Sequence, residues 1–118
     1  MKFKNPVGVR LSLKRAIKFM GGCRNPDGLW SDFLTLAGES VYWVSGYVGY
    51  ALSRYGGARR NGWLTRVGSN ILESQGEDGG WGYGPGVPAD ADSTSWCLRF
   101  LSRLGMHGRE VRERASFF

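Results

Sequence analysis

The sequence predicts an all-α protein built from about two antiparallel helix hairpins, and three observations support this fold class. Apolar residues recur at helical spacing in four segments of the 118-residue chain. The 19 glycines cluster between these segments, where they favour tight turns. No segment combines strand-forming residues with sustained apolar and polar alternation, so a sheet is not expected.

The first two predicted helices each end at a pair of glycines. The first ends near Met20, because the glycines at 21–22 can adopt the left-handed conformation that stops a helix. The second extends over about residues 41–55 and ends at the glycines at 56–57. The faces expected to be apolar carry Val9, Leu13, Ala16, Ile17 and Met20 in the first helix, and Val41, Val44, Val48, Leu52 and Tyr55 in the second.

Two further helices follow in the second half of the chain. Asn61 is the expected N-cap of the third helix, which stops in the glycine cluster after Gln75. The fourth helix is expected to start just after Asp92 and to end at Gly105, and the charged segment 108–118 is expected to be a frayed helix. The apolar faces carry Leu64, Val67, Ile71 and Leu72 in the third helix, and Cys97, Phe100, Leu101 and Leu104 in the fourth.

A helix, an Asp-Gly turn, a tryptophan, a loop and a further helix occur twice in the chain. Trp30 and Trp81 lie 51 positions apart, and the residues before them align in register. Such self-similarity is typical of repeat proteins, whose units bury their apolar faces against neighbouring units. We therefore predict an N-terminal extension over residues 1–8, one hairpin repeat over 9–57, a second over 58–105 and a charged tail over 106–118.

The residues around both tryptophans resemble the QW repeat of squalene and oxidosqualene cyclases. The matching residues are Gln75, Gly79 and Trp81 in the second half and Gly28 and Trp30 in the first, where Cys23 replaces the glutamine. A glutamine amide can bond exposed backbone groups at a helix end, and a tryptophan ring can close the hairpin over its turn. These residues are therefore expected to be structural. The resemblance implies an incomplete α/α toroid, in which inner and outer helices surround a central cavity.

Residues 90–94 read Asp-Ala-Asp-Ser-Thr, which is similar to the Asp-x-Asp-Asp-Thr box of class II terpene cyclases. The resemblance implies that Asp92 is the proton donor that starts a carbocation cascade and that Asp90 is the first carboxylate, while Ser93 replaces the last aspartate of the box. A second interpretation is that Asp92 caps the fourth helix, where the helix dipole favours its ionised form. A third is that the two carboxylates orient a ligand or bind a cation.

Aromatic residues on the second predicted helix form a stripe at positions i, i+4 and i+7. They are Trp43, Tyr47 and Tyr50. In a cyclase-like cavity these rings, together with Trp96, would bind the substrate and stabilise a carbocation through their π-faces. Burial in a core or in an oligomer interface would explain the same stripe.

Charge and composition argue against several other classes of function. The net charge of +6 is spread in rows that are typical of solvated helix faces, so no nucleic-acid partner is expected. The uncharged run 40–53 is too short to cross a bilayer. Two cysteines without a paired spacing favour a reducing, cytoplasmic location, with peripheral membrane contact left open. No cofactor and no metal are expected, since Asp92, Cys97 and His107 lack the spacing of a zinc site and the glycines at 79–86 follow a helix rather than a strand.

The segments 31–47 and 89–98 also look like uncharacterised bacterial prenyltransferase or squalene-oxidase repeat proteins. These resemblances imply a fragment or relative of an isoprenoid-handling protein. If it is an enzyme, it would be a class II terpene cyclase-like isomerase or lyase, or a prenyltransferase-like transferase. The alternative is a non-catalytic repeat module. Because two hairpins leave apolar end faces uncovered, we expect the chain to be part of a longer toroid, to self-associate or to bind a partner chain that supplies further repeats.

Overall fold

Helices make up most of the structure, which confirms the all-α fold class. The computed structural model describes residues 6–55, 62–106 and 108–116. The elements within these ranges are α1 (Pro6–Gly22), β1 (Leu34–Thr35), β2 (Gly38–Glu39), α2 (Tyr42–Ser53), α3 (Gly62–Glu73), α4 (Ala91–Arg103) and α5 (Arg109–Arg114). The predicted N-cap Asn61 and the predicted stop at 56–57 lie outside the described residues.

The expectation that the chain contains no sheet is wrong at one place. β1 and β2 pair antiparallel, with Leu34 opposite Glu39 and Thr35 opposite Gly38. Gly38 has a φ of +148°, which an L-residue rarely adopts, so a glycine is suited to this tight reversal. Two-residue strands are too short to produce the alternation from which a sheet is predicted.

Helix α1 differs from its prediction at its end and on its expected apolar face. It continues through Gly22, because neither of its terminal glycines adopts the left-handed conformation. Leu13 and Ala16 are exposed, and only Ile17 and Met20 of the expected face pack against the core. Val7 and Phe19 are 75% and 69% exposed. Helix α1 therefore keeps most of its apolar surface in contact with solvent.

The core lies between α2, α3 and α4. The predicted apolar faces of α3 and α4 are confirmed, since their central residues are inaccessible to solvent. On α2, Val44 and Leu52 are buried, whereas Tyr55 lies beyond the helix end and is exposed. The fully buried members of the core include Leu64, Val67, Ile71, Trp81, Cys97, Phe100 and Leu101.

Helix α4 has well-defined ends. It begins at Ala91, one residue before the position expected to precede it. At its C-terminus Gly105 has a φ of +74°, and the amides of Gly105 and Met106 donate to the carbonyls of Ser102 and Leu101. This pattern is the Schellman motif, and it explains why the predicted stop at Gly105 is confirmed.

The N-terminus of α2 is held by the backbone of the second half of the chain. The amides of Val41, Tyr42 and Trp43 converge on the carbonyl oxygen of Tyr83, at 2.8, 2.9 and 3.3 Å. Tyr83 belongs to the glycine-rich segment 79–86, and its hydroxyl also hydrogen-bonds to Thr35 in β1. The glycine-rich segment therefore joins the two halves of the molecule at the start of α2.

Candidate functional site

Two turns that contain a glycine of similar backbone conformation precede Trp30 and Trp81. Gly28 and Gly79 have φ values of +86° and +91°, in the left-handed region that favours glycine. In the first turn the Asp27 carboxylate accepts from the amide of Leu29, at 2.9 Å, and in the second Asp78 accepts from Gly80, at 3.1 Å. The internal repeat seen in the sequence is therefore also present in the hydrogen bonds.

Both indole rings are buried and fixed to the preceding helix. Trp30 Nε1 donates to the carbonyl of Met20 at 2.8 Å, and Trp81 Nε1 donates to that of Ile71 at 2.9 Å. The rings are 4% and 1% exposed. Each indole N–H therefore satisfies a carbonyl near a helix end, where intrahelical partners are lacking.

A buried side-chain hydroxyl forms hydrogen bonds with both the backbone amide and the backbone carbonyl of each tryptophan. Sequence reasoning missed both hydroxyls. Ser45 Oγ accepts from the amide of Trp30 at 2.9 Å and donates to its carbonyl at 3.1 Å. Thr94 Oγ1 does the same for Trp81, at 3.0 and 3.2 Å. These bonds connect each turn to the helix that follows it. The one available signal was a hydroxyl residue near the start of both following helices.

Gln75 connects the second turn to α5. Its Nε2 donates to the carbonyl of Gly79 at 2.7 Å, and its Oε1 accepts from Arg114 at 3.2 Å. Arg114 also donates to the carbonyl of Gly76 at 2.9 Å. In the first half the corresponding Cys23 is exposed, and the turn is contacted from outside by Asn70 of α3, which donates to the carbonyl of Asp27 at 2.8 Å.

Two glycines on α2 allow it to lie very close to α4. A β-carbon placed on Gly46 would be 2.9 Å from the Cys97 amide nitrogen, and one on Gly49 would be 2.6 Å from the Phe100 ring. A side chain at Gly46 would collide with the backbone of α4, and one at Gly49 would displace the buried Phe100 ring, so glycine suits both positions. Sequence reasoning missed both residues, although they flank the predicted aromatic stripe.

This close approach brings the four predicted substrate-binding residues together on one surface. Trp43 and Tyr47 stack with ring centroids 5.6 Å apart and planes 2° from parallel. Trp96 of α4 contacts Tyr47 edge-on at 4.9 Å and Tyr50 at 5.7 Å. Tyr47 is 45% exposed, and the other three rings are half-buried. We call this surface, with Asp92 at its end, the aromatic face.

Asp92 lies at the end of the aromatic face. Its Oδ2 accepts a hydrogen bond from Trp43 Nε1 at 2.7 Å, which joins the first turn of α4 to the first turn of α2. The interpretation of Asp92 as the helix cap is wrong, because α4 begins at Ala91 and its N-cap is Asp90. Asp92 is exposed and lies within the first turn of the helix.

Asp90 is the N-cap of α4. Its Oδ1 accepts from the amide of Ser93 at 2.7 Å, and its Oδ2 accepts from the Ser93 hydroxyl at 2.9 Å. Ser93 is therefore part of the cap. In the described part of the chain no hydrogen bond joins the carboxyl groups of Asp90 and Asp92.

Cys97 is buried behind the aromatic face. Burial, with a smaller contribution from the negative charge of Asp90, raises the pKa of its thiol far above the usual range, so the thiol stays protonated and unreactive. Its Sγ lies 3.5 Å from the carbonyl of Tyr42. Across residues 6–55, 62–106 and 108–116 no three His, Cys, Asp or Glu side chains are grouped for metal binding, and His107 lies outside these ranges.

With its paired helix hairpins, the chain matches part of the fold of type II terpene cyclases. It superimposes on MstE from Scytonema with a TM-score of 0.81 and 28% identity, over 92% of this chain and 33% of MstE. A variant of MstE in complex with geranylgeranyl dihydroxybenzoate, its substrate, matches with a TM-score of 0.77 and 27% identity, over 90% of this chain and 31% of that one. A protein from Actinoplanes matches with a TM-score of 0.78 and 30% identity, over 90% of this chain and 31% of its own.

The chain spans about one third of the length of these structures. No family model and no curated protein matches it. Among the described residues, no helix combines the length and apolar character needed to cross a membrane.

Proposed function

We propose that the chain forms part of the wall of an isoprenoid-binding cavity in a terpene cyclase-like toroid. The observation that carries this proposal is the continuity of the aromatic face with the carboxylate of Asp92 through the Trp43 indole. Stacked and edge-on rings offer a polyprenyl chain apolar contact, and their π-faces attract positive charge. The likeness to MstE, which has been solved with a geranylgeranyl substrate, supports this class of ligand. We also propose that the two tryptophan turns are QW-type repeats.

In the proposed reaction Asp92 is the proton donor. Its carboxyl O–H transfers a proton to one carbon of a substrate alkene, and the other alkene carbon becomes the carbocation that a neighbouring double bond attacks. The Trp43 N–H then stabilises the carboxylate that remains. The cyclised cation then loses a proton and the Asp92 carboxylate regains one. No atoms are gained or lost overall, so the reaction is an isomerisation.

A carboxyl group donates a proton to an alkene only when a dry environment keeps it in its acid form. Asp92 and Tyr47 are exposed in the two-hairpin structure. We therefore infer that the ligand and additional repeats together exclude water from the aromatic face. The carboxylate oxygens of Asp90 accept hydrogen bonds from Ser93. We propose that Asp90 is the first carboxylate of the box.

Replacing Trp96 by alanine is expected to weaken binding of radiolabelled geranylgeraniol by about tenfold or more, because burying one large apolar side chain contributes about 1.5–3 kcal/mol. Trp63→Ala is the matched control, since Trp63 packs against Trp30 on another surface. It should change the affinity little. Equal losses in both variants, or no binding by the unsubstituted chain, would contradict the proposal.

The second candidate function is a repeat module that is completed by a second copy of the chain. It is favoured by α1, where Phe19 is 69% and Leu11 46% exposed. Light scattering after size-exclusion chromatography should then give at least a dimer, and the double variant Leu11→Ser, Phe19→Ser should shift it toward the monomer. Leu36→Ser is the control, because Leu36 is fully exposed beyond β1. A monomer with a cooperative melt would argue against this candidate.

A further inference from the structure

The aromatic face changes in charge along its length. The residues of the face and the arginines that follow them occupy positions i, i+4, i+7 and i+11 on each of two neighbouring helices. They therefore lie along one side of each helix. The acid is at the N-terminal end, the rings are in the middle and the arginines are at the C-terminal end. In order, these residues are Trp43, Tyr47, Tyr50 and Arg54 for α2 with its C-cap, and Asp92, Trp96, Arg99 and Arg103 for α4.

Contacts place the arginines at one end of the aromatic face. The Arg99 guanidinium lies 5.0 Å from the ring centroid of Trp96, which is itself a member of the face. Arg103 donates to the carbonyl of Ser53 at 3.4 Å, and Arg54 follows Ser53 as the C-cap of α2. The C-terminal ends of the two helices therefore carry three arginines, at positions 54, 99 and 103.

Among the described residues, no carboxylate neutralises these positive charges. In the described ranges Arg54, Arg99 and Arg103 form no ion pair with a carboxylate, while Arg109 pairs with Glu113 on α5. All three arginines are exposed residues. Favourable interaction with the helix dipole explains basic residues in the last turn, but Arg99 lies a full turn before the end of α4.

We propose, on the basis of the function proposed above, that this arginine end binds the anionic head group of the isoprenoid, a diphosphate or a carboxylate. Guanidinium groups match such anions through paired N–H donors. The seven residues from Asp92 to Arg99 correspond to about 10 Å along the helix. A ligand with its head at Arg99 would lay its hydrocarbon chain over Trp96 and Tyr47 and present a distal alkene to Asp92. The arginine end thus selects charged isoprenoids over neutral ones and sets their direction.

The test compares three ligands that share one hydrocarbon chain: geranylgeranyl diphosphate, geranylgeranoate and geranylgeraniol, each below the concentration at which it aggregates. The full chain is expected to bind at least one of the two anions about tenfold more tightly than the alcohol, the difference made by one charge-assisted contact of about 1.4 kcal/mol. Added salt should weaken anion binding and leave alcohol binding unchanged.

Arg99→Gln should remove the preference for the anion, and Arg99→Lys should restore part of it. Arg24→Gln is the matched control, because the Arg24 guanidinium lies 4.7 Å from the ring centroid of Trp63 on another surface. Circular dichroism confirms that each variant is folded. Equal affinity for all three ligands, or an anion preference that survives Arg99→Gln, would overturn the inference while leaving the proposed function intact. Failure of all three ligands to bind would contradict the proposed function itself.

Discussion

Replacing Trp81 by alanine is expected to lower the free energy of unfolding by about 3–5 kcal/mol. The ring is the largest fully buried side chain, and its Nε1 donates to Ile71 and to Ser74. Alanine would leave a cavity between α3 and α4 and would remove both hydrogen bonds. Because domains of this size are stable by about 5–15 kcal/mol, this loss would be a large part of the total stability. Urea denaturation followed by circular dichroism measures the loss.

Two further variants separate the contributions of the indole ring. Trp81→Phe keeps an aromatic ring in the core but removes the N–H donor, so it should cost less than alanine. Trp63→Ala should also cost less, because Trp63 is only half-buried. If Trp81→Ala destabilised the chain no more than Trp63→Ala, the tryptophan turn would not have the structural role proposed for it.

Asp92→Asn is expected to reduce turnover of a polyprenyl substrate by about 10²–10⁴-fold, the contribution of a general acid. Asparagine is nearly isosteric and can still accept from Trp43, so ligand affinity and stability should change little. The measurement is gas chromatography with mass spectrometry of cyclised geranylgeraniol, together with binding of the same compound. The assay uses the chain together with the repeats that complete the cavity, and such an assembly that binds the ligand but forms no cyclised product would contradict the role of Asp92 as donor.

Two other aspartates give controls for this experiment. Asp32→Asn changes an exposed carboxylate that accepts a hydrogen bond from the neighbouring Phe33 amide, and it should leave turnover unchanged. Asp90→Asn keeps a residue that caps helices well, so the fold should persist. A fall in turnover in that variant would indicate that the Asp90 carboxylate also takes part in proton donation, whereas normal turnover would limit Asp90 to its role as the N-cap of α4.

The parts of the fold that the sequence predicts depend on local spacing. Leu64, Val67 and Ile71 follow helical periodicity, and they are buried as expected. The end of α4 was predictable because a glycine stop has a local chemical cause. Helix α1 shows the limit of this reasoning, since an apolar spacing predicts which residues share a side but not whether a neighbouring surface covers them.

For the site as well, local spacing predicts which residues share a helix side, but it does not predict contacts between residues that are far apart in sequence. The members of the aromatic stripe could be chosen from their spacing on α2, but the hydrogen bond between Trp43 and Asp92 joins residues 49 positions apart. The hydroxyls of Ser45 and Thr94 were missed for the same reason, because each acts on a backbone far away in sequence. Both Asp90 and Asp92 are suitable caps by residue type, and only the observed start of α4 distinguishes them.

The contacts of the two tryptophan turns give the stack a direction. The first turn receives a hydrogen bond from Asn70 of α3, and the second receives one from Arg114 of α5. In both cases the donor lies on the first helix after the hairpin that contains the turn. The outer side of each hairpin is therefore completed only when that later helix is present. Since units in such stacks interact mainly with their nearest neighbours, order should spread from each newly added helix back to the hairpin before it.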